Sequence, residues 1–397
     1  MTATESKRCT KNPKRTGLLV GASGLIGGTI AHYFRTRAAD EITLLAPCSK
    51  ILSIRDTEEI KNFLRKNPVD FIINCAIAAV NCDAQLAFEV NYLGAINLAR
   101  AACTLGIPYI HMGSAAVLPN GNNLSEENRG ELAPDLSDYA KSKIMAEESL
   151  DFMGHVHGLD YTNIRLSIVY GEHDHKIQGF HRLLFSIAEG SMPFMFTRRK
   201  VFHSYTNAAK LPYFVHHLLN NRKEFTQQTY QFVDRDPVEL ANLILTIRSH
   251  LALKRPRELY VPFPLVHRGE NFLELLAIML RNFGITVRLP GELMFLESCY
   301  KNQTLSSKKL YRSSFRDPFP EKTIFTELPN LIVYYLTRWG NLKLINMFKD
   351  TECFEHNEVR SDFLHSPRGL LASVHTDSAH PFTDLSRRPK AQIISMA

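Results

Sequence analysis

Leu18-Leu19-Val20-Gly21-Ala22-Ser23-Gly24-Leu25-Ile26-Gly27 carries an apolar run into a G-x-x-G-x-x-G turn and out into a segment of helical periodicity. Glycine permits positive φ in such a turn. It also lets a pyrophosphate approach the backbone, where the N–H groups of a helix N-terminus bind anionic oxygens. The competing reading is a glycine-rich strand-to-helix turn that binds nothing. Three glycines at this spacing, between a strand and a helix, favour the dinucleotide. The expected contacts are Gly21, Ser23, Gly24, Leu25, Ile26 and Gly27.

Working outward, short apolar runs alternate with longer helical segments from Thr16 to Gly171. The pattern predicts strands over 18–20, 41–46, 69–75, 109–112 and 162–169, and helices over 26–37, 56–66, 84–105 and 139–152. Val69 to Cys75 is too continuous for a half-exposed face, so it reads as a central strand. The fold class is α/β, a Rossmann-type doubly wound parallel sheet with a smaller mixed C-terminal substrate region and a flexible tail. The expected divisions are a flexible basic leader (1–16), a dinucleotide-binding domain (17–171), a substrate-binding region (172–349) and a disordered tail (350–397). Beyond Gly171, helices are expected over 180–188, 208–219, 238–250, 273–281 and 328–339, with a strand over 230–233.

The 397 residues are 45% hydrophobic and 22% charged, enough to bury a sizeable core. Much of the net +7 lies in Lys7, Arg8, Lys11, Lys14 and Arg15, which leaves no wide nucleic-acid footprint. Seven cysteines without a C-x-x-C pair argue against a zinc site and a secreted disulfide scaffold, so a reducing, cytoplasmic setting is expected. The basic start leads into the glycine turn and not into an apolar signal core. No apolar stretch reaches the length of a spanning helix; Phe272 to Leu280 comes nearest and contains Glu274. Core packing is its first reading, and a hydrophobic lid the second.

Tyr139-Ala140-Lys141-Ser142-Lys143 contains Y-x-x-x-K at the start of a helix, which puts Tyr139 and Lys143 on one face. Ser114 lies 25 residues earlier, just after a strand and so at the carboxyl edge of the sheet where ligands bind. An adjacent ammonium and a nearby oxidised nicotinamide favour phenolate, which predicts a Tyr139 pKa lowered toward neutrality when the cofactor is bound. Tyr139 would then move the proton, Ser114 would hydrogen-bond the reacting oxygen, and Lys143 would bind the nicotinamide ribose and tune Tyr139. The bland reading is a surface helix with a solvated lysine and a capping serine. NAD-preferring sites place an acid at the end of the second strand, but Leu45-Ala46-Pro47-Cys48-Ser49-Lys50 has none. Lys50 either meets a 2′-phosphate or is solvated, which leaves NAD and NADP both open.

With these residues in place, the sequence resembles the extended short-chain dehydrogenase/reductase superfamily, in its NAD-dependent epimerase/dehydratase branch. The likeness rests on Gly21, Gly24 and Gly27, on Ser114, Tyr139 and Lys143, and on Asn74-Cys75-Ala76, which stand where the family has a segment beside the cofactor. Asn91 in an Asn-x-x-Gly helix motif and Arg165 to Gly171 as a strand end extend it. The resemblance implies an NAD(P)-dependent epimerase or oxidoreductase acting on a secondary alcohol or ketone of a nucleotide-linked sugar, with a homodimer as the assembly to test. Ala115-Ala116 replace the Asp-Glu of dehydratases, which disfavours water elimination, and Ser114-Ala115-Ala116-Val117 is closest to the epimerases. Ser114 and Ala115 are expected on the substrate side. Arg199, in the triplet Arg198-Arg199-Lys200, is the candidate contact to a substrate phosphate. His203 to Ala209 lacks two acids that the family commonly carries there. Other readings are a hydroxysteroid-dehydrogenase-like enzyme or a non-catalytic cofactor-binding regulator. His155, His157 and Glu172 to His175 carry no metal motif and read as loop residues.

Overall fold

Leu19, Ile73, Ile110, Met112, Ile164 and Leu166 face one side of a sheet, and Leu18, Val20, Ile72, Tyr109 and Tyr161 face the other; both sets are buried. Successive strand residues point to opposite faces, so continuous apolar runs require cover on both. The computed structural model describes residues 13–80, 82–190, 194–195, 200–258, 299–342, 344 and 368. The elements begin β1 (Arg15–Val20), α1 (Leu25–Thr36), β2 (Ile42–Leu45), α2 (Thr57–Lys66) and β3 (Phe71–Asn74). A helical stretch follows as α3 (Ala84–Leu86), a π-helical segment (Ala87–Leu93) and α4 (Gly94–Leu105). Then come β4 (Tyr109–Ser114), β5 (Gly121–Leu124), α5 (Asp138–His157), β6 (Tyr161–Leu166), β7 (Ile168–Tyr170) and α6 (Gly179–Ala188). The chain goes on through β8 (Phe194–Met195), β9 (Phe202–His203), β10 (Tyr205–Asn207), α7 (Leu211–Asn220), α8 (Arg222–Phe225) and β11 (Gln228–Phe232). The last elements described are β12 (Val238–Glu239), α9 (Leu240–His250), β13 (Arg257–Glu258), β14 (Gln303–Leu305), α10 (Lys308–Arg312) and α11 (Ile324–Asn341).

Six parallel strands in the order β11-β6-β4-β3-β1-β2 form the main sheet. Residues of α1 and α7 pack one face, and residues of α2, α4 and α5 the other. The fold is the Rossmann-type α/β arrangement read from the sequence. A smaller sheet, β12-β9-β14-β5, is mixed, with β9 and β12 antiparallel. A second core of α6, α9 and α11 lies beside it, where the chain's one tryptophan, Trp339, stacks on His181 and donates to its Nε2 at 2.9 Å.

Several elements differ from expectation for physical reasons. The strand read over 162–169 is two, because the chain breaks at Ser167. There Ser167 N–H donates to Thr206 Oγ1 at 3.1 Å and its hydroxyl to the Ser204 carbonyl at 2.6 Å, which moves β7 onto β10. The division at Gly171 is crossed by the fold, since β11 returns as the sixth strand and α7 covers it. A local apolar run does not reveal which sheet it joins. The helix expected from 208 begins at Leu211, because Asn207 Oδ1 accepts from Ala209 N–H at 2.9 Å in the turn before it. Arg15 and Thr16, placed in the leader, open β1; residues 1–12 lie outside the described residues. So do the helix read over 273–281, Arg198, Arg199 and, apart from Arg368, the tail 350–397. No helix among the described residues is long and apolar enough to cross a membrane.

One buried ion pair fixes the helix that carries the site. Arg165 on β6 is fully buried; its Nε donates to both oxygens of Glu147 on α5 at 3.0 and 3.1 Å, and its Nη2 bonds Glu147 as well. Its Nη1 donates to the carbonyls of Glu126 and Asn128. Removing one member of such a pair leaves the other charge stranded in a low dielectric. Arg165→Leu is therefore expected to cost about 3–5 kcal/mol, read as a lower urea midpoint. An unchanged midpoint would show that the pair does not anchor α5.

Candidate functional site

The strand order reverses between β1 and β3, and ligands of open parallel sheets bind outside the carboxyl ends of the strands at such a point. Register brings Val20 level with Asn74, and Asn74 level with His111. The ends of β1, β3 and β4 therefore share one edge. Gly21 leaves β1 at φ +83°, and a Cβ there would stand 2.5 Å from the Cys75 carbonyl carbon. A Cβ on Gly27 would stand 2.3 Å from Gly21 O, so both glycines are needed for the turn to close. Gly24 differs: it is exposed, and a Cβ there would meet only Gly21 O, at an ordinary contact distance of 3.6 Å.

Gly24 is the N-cap of α1, with no side-chain cap and no acid in the first turn. The first-turn N–H groups of Leu25, Ile26 and Gly27 thus have neither an intrahelical acceptor nor a competing carboxylate, and the helix dipole adds positive potential there. Ser23 is exposed on the turn. An exposed turn with unblocked N–H groups fits a dinucleotide pyrophosphate.

Asn74 and Asn91 are buried and brace the strand exit. Asn74 Oδ1 accepts from Ala76 N–H at 3.0 Å, and Asn91 Oδ1 accepts from Ala78 N–H at 2.8 Å. They hold Cys75 and Ala76 against the glycine turn. Asn91 sits in the π-helical segment, whose extra residue per turn re-aims its side chain.

Ser114 is the last residue of β4, and its Oγ accepts from Ala116 N–H at 3.2 Å. The Ser137 hydroxyl caps α5 by accepting from Ala140 N–H, which starts the helix beside Ser114. The Ser114 side chain lies close enough to the Tyr139 hydroxyl to favour its phenolate. Lys143, one turn along, is buried and donates to the Met112 carbonyl at 3.0 Å. The three residues named from the sequence are thus gathered at the end of β4. Ala115 is buried beside Val117 in a small core. Lys50 is exposed in the loop after β2.

In the chain alone Tyr139 is raised above its ordinary value: burial of its hydroxyl outweighs the Ser114 side chain beside it, which favours phenolate. Burial pushes the Lys143 ammonium down to about 8, against the pull of Cys75 and Glu147. It drives the Cys75 thiol up to about 12 and holds His111 neutral, with the Lys143 charge a smaller contributor there.

Sequence reasoning passed over His111, Glu147 and Gln303. Gln303 Nε2 donates to the carbonyls of Ala115 and Leu118 at 3.3 and 3.4 Å, tying the segment after Ser114 to β14. Glu147 could have been found, as it continues the i, i+4 row of Tyr139 and Lys143. No local signal marks Gln303. Among the described residues no group of acids, histidines and cysteines could hold a metal. His173 and His175 instead bond Tyr334 and Arg338.

A glycine turn at the switch point, with Ser114, Tyr139 and Lys143 at the next strand ends, is the arrangement that the resemblance to extended short-chain dehydrogenases/reductases leads one to expect. Residues 18–199 match the model of the NAD dependent epimerase/dehydratase family. A probable low-salt glycan biosynthesis reductase, Agl14, of Haloferax volcanii is 27% identical over 165 residues, which are 38% of this chain. The chain spans about half of that curated relative, 53% of its length. Among solved structures, dTDP-4-dehydrorhamnose reductase of Bacillus anthracis in complex with NADP shares the fold at TM-score 0.57 and 17% identity, over 81% of this chain and 99% of that one. UDP-glucose 4-epimerase of Thermus thermophilus with NAD does so at TM-score 0.56 and 18% identity, over 81% and 99%.

The glycines give a test that separates folding from binding. Gly24→Val should fold with a midpoint close to the parent and lose calorimetric affinity for both NAD(H) and NADP(H). Gly27→Ala should lower the unfolding midpoint, because its methyl group meets backbone. Unchanged dinucleotide affinity in Gly24→Val would remove this turn from the binding site.

Proposed function

We propose that this chain is an NAD(P)-dependent enzyme that reduces a ketone of a nucleotide-linked sugar to the secondary alcohol. The observation that carries the reading is the meeting of Ser114 and Tyr139 at the end of β4, with Lys143 buried one helical turn away and bonded to the Met112 carbonyl. The glycine turn would hold the pyrophosphate, Lys143 the nicotinamide ribose, and Cys75 and Ala76 would border the ring. When bound, the reduced nicotinamide supplies the hydride. Ser114 would hold the carbonyl oxygen, and Tyr139, kept protonated by burial, would deliver the proton to it. A protonated tyrosine is the form that reduction requires. The names of the Haloferax relative and of the Bacillus structure, both reductases, support this direction.

Epimerisation would use the same three residues in both senses, with Tyr139 first accepting and then returning a proton. The substrate side would consist of Ser114, the Ala115–Leu118 segment and, on sequence grounds, Arg199. Five described cysteines are free, in keeping with a cytoplasmic setting. A second copy of the chain is the proposed occupant of a groove of about 880 Å³ between α4 and α5. Phe152 lines it at 59% exposure, and Arg100 and Glu148 lie on opposite helices, so a two-fold axis would pair unlike charges. Phe152→Glu should halve the mass seen by light scattering; a parent that is already monomeric would end this proposal.

Turnover of keto-sugar nucleotides should be followed by loss of nicotinamide absorbance, and epimer formation by NMR. Tyr139→Phe is expected to bind dinucleotide and to turn over about 100-fold more slowly or worse. Reductive kcat/KM should be level below pH about 8 and fall above it, as Lys143 loses its charge while Tyr139 stays protonated. Parental turnover by Tyr139→Phe would refute the mechanism. Cofactor binding without turnover of any substrate would favour a regulatory role.

A further inference from the structure

We infer that Gln303 of β14 is a positioning residue for Ser114, and that it sets the orientation of the serine hydroxyl by clamping the turn that follows it. The inference rests on the proposal above that Ser114 holds the reacting oxygen.

Ser114 Oγ accepts from Ala116 N–H at 3.2 Å, inside the 3₁₀ turn Ala115–Val117. A lone pair engaged by that N–H leaves the hydroxyl proton free to point elsewhere, which is what donation to a substrate oxygen needs. The serine's orientation is therefore only as firm as the turn. Within the turn Leu118 N–H donates to the Ala115 carbonyl at 2.9 Å, but a 3₁₀ turn this short is poorly held by its own bonding. Ala115 to Leu118 carry no polar side chain, so any further donor must come from outside.

Gln303 supplies that donor. Its Nε2 reaches the Ala115 carbonyl at 3.3 Å and the Leu118 carbonyl at 3.4 Å, so one amide brackets both ends of the turn. Two carbonyl acceptors require the NH₂ end of the amide, which fixes its orientation. Between them Gly130 N–H takes the Val117 carbonyl at 2.7 Å. The amide is in turn aimed by a sheet. Gln303 lies in β14 between β5 and β9, level with Gly121 and His203, and its own carbonyl accepts from Ser204 N–H at 3.1 Å. Its neighbour Asn302 accepts from Phe202 N–H through Oδ1 and from Gly121 N–H through its carbonyl. Leu305 of the same strand packs in the small core that holds Ala115, Val117 and Leu118. The mixed sheet and the turn after Ser114 therefore form one unit, and Gln303 is the polar link between them.

A double-mutant cycle on the full-length protein tests this, with Ser114→Ala, Gln303→Leu and the pair compared in turnover of a keto-sugar nucleotide. Gln303→Leu is expected to lower kcat about tenfold with KM and dinucleotide affinity near the parent, and to cost nothing further once Ser114 is alanine. Equal fold losses in the two backgrounds would overturn the inference. Gln303→Glu is nearly isosteric and guards against a folding defect. Its carboxylate would face two carbonyls with no proton to donate, so kcat relative to the parent should recover as pH falls from about 8 to about 5.5 and the introduced carboxyl is protonated. A loss that is flat across that range sinks the idea. Amide hydrogen exchange over 115–118 should also quicken in Gln303→Leu while α5 keeps its protection, a readout that needs no substrate; unchanged exchange there counts against the clamp. Parental turnover by Ser114→Ala would instead overturn the reading of Ser114 on which the inference rests.

Discussion

The buried pair of Arg165 and Glu147 is the constraint from which the site follows. Helix α5 carries Tyr139, Lys143 and Glu147 on one stripe, and a helix can rotate about its axis unless something on that stripe is held. Glu147, gripped by a guanidinium that is itself fixed by two carbonyls, sets that rotation. Lys143 is then delivered to the Met112 carbonyl and Tyr139 to Ser114. The cost of desolvating the two charges is offset by their bidentate contact.

A second constraint couples the triad to the glycine turn through backbone. Gly21 fits only because it lacks a side chain against Cys75, and Cys75 N–H donates to the Val20 carbonyl at 2.9 Å. The same Cys75 lies close enough to Lys143 for each to shift the other's titration. The glycine turn and Lys143 thus share a neighbour. Asn74 and Asn91 hold that neighbour from behind, which gives them a use in the site although their carbonyl oxygens are taken up by backbone N–H groups.

Much of this was legible in the sequence, for reasons that also explain what was not. Apolar runs bounded by glycine reveal strands buried on both faces, and they located β1, β3 and β4 to within a few residues. The spacing of Tyr139, Lys143 and Ser114 was legible because a helix and a strand end convert sequence distance into spatial distance. The sheet that an edge strand joins is not encoded locally, so β11 read as part of a separate region. Pairings such as Gln303 with Ala115 span 188 residues and leave no local trace.

The direction of the tyrosine's titration was the least legible feature, because it depends on the balance of two opposed effects. The sequence shows a lysine four residues from a tyrosine, which argues for phenolate. It does not show how deeply the hydroxyl lies. In the folded protein burial disfavours both charged forms at once, raising Tyr139 and lowering Lys143, as a low-dielectric site must.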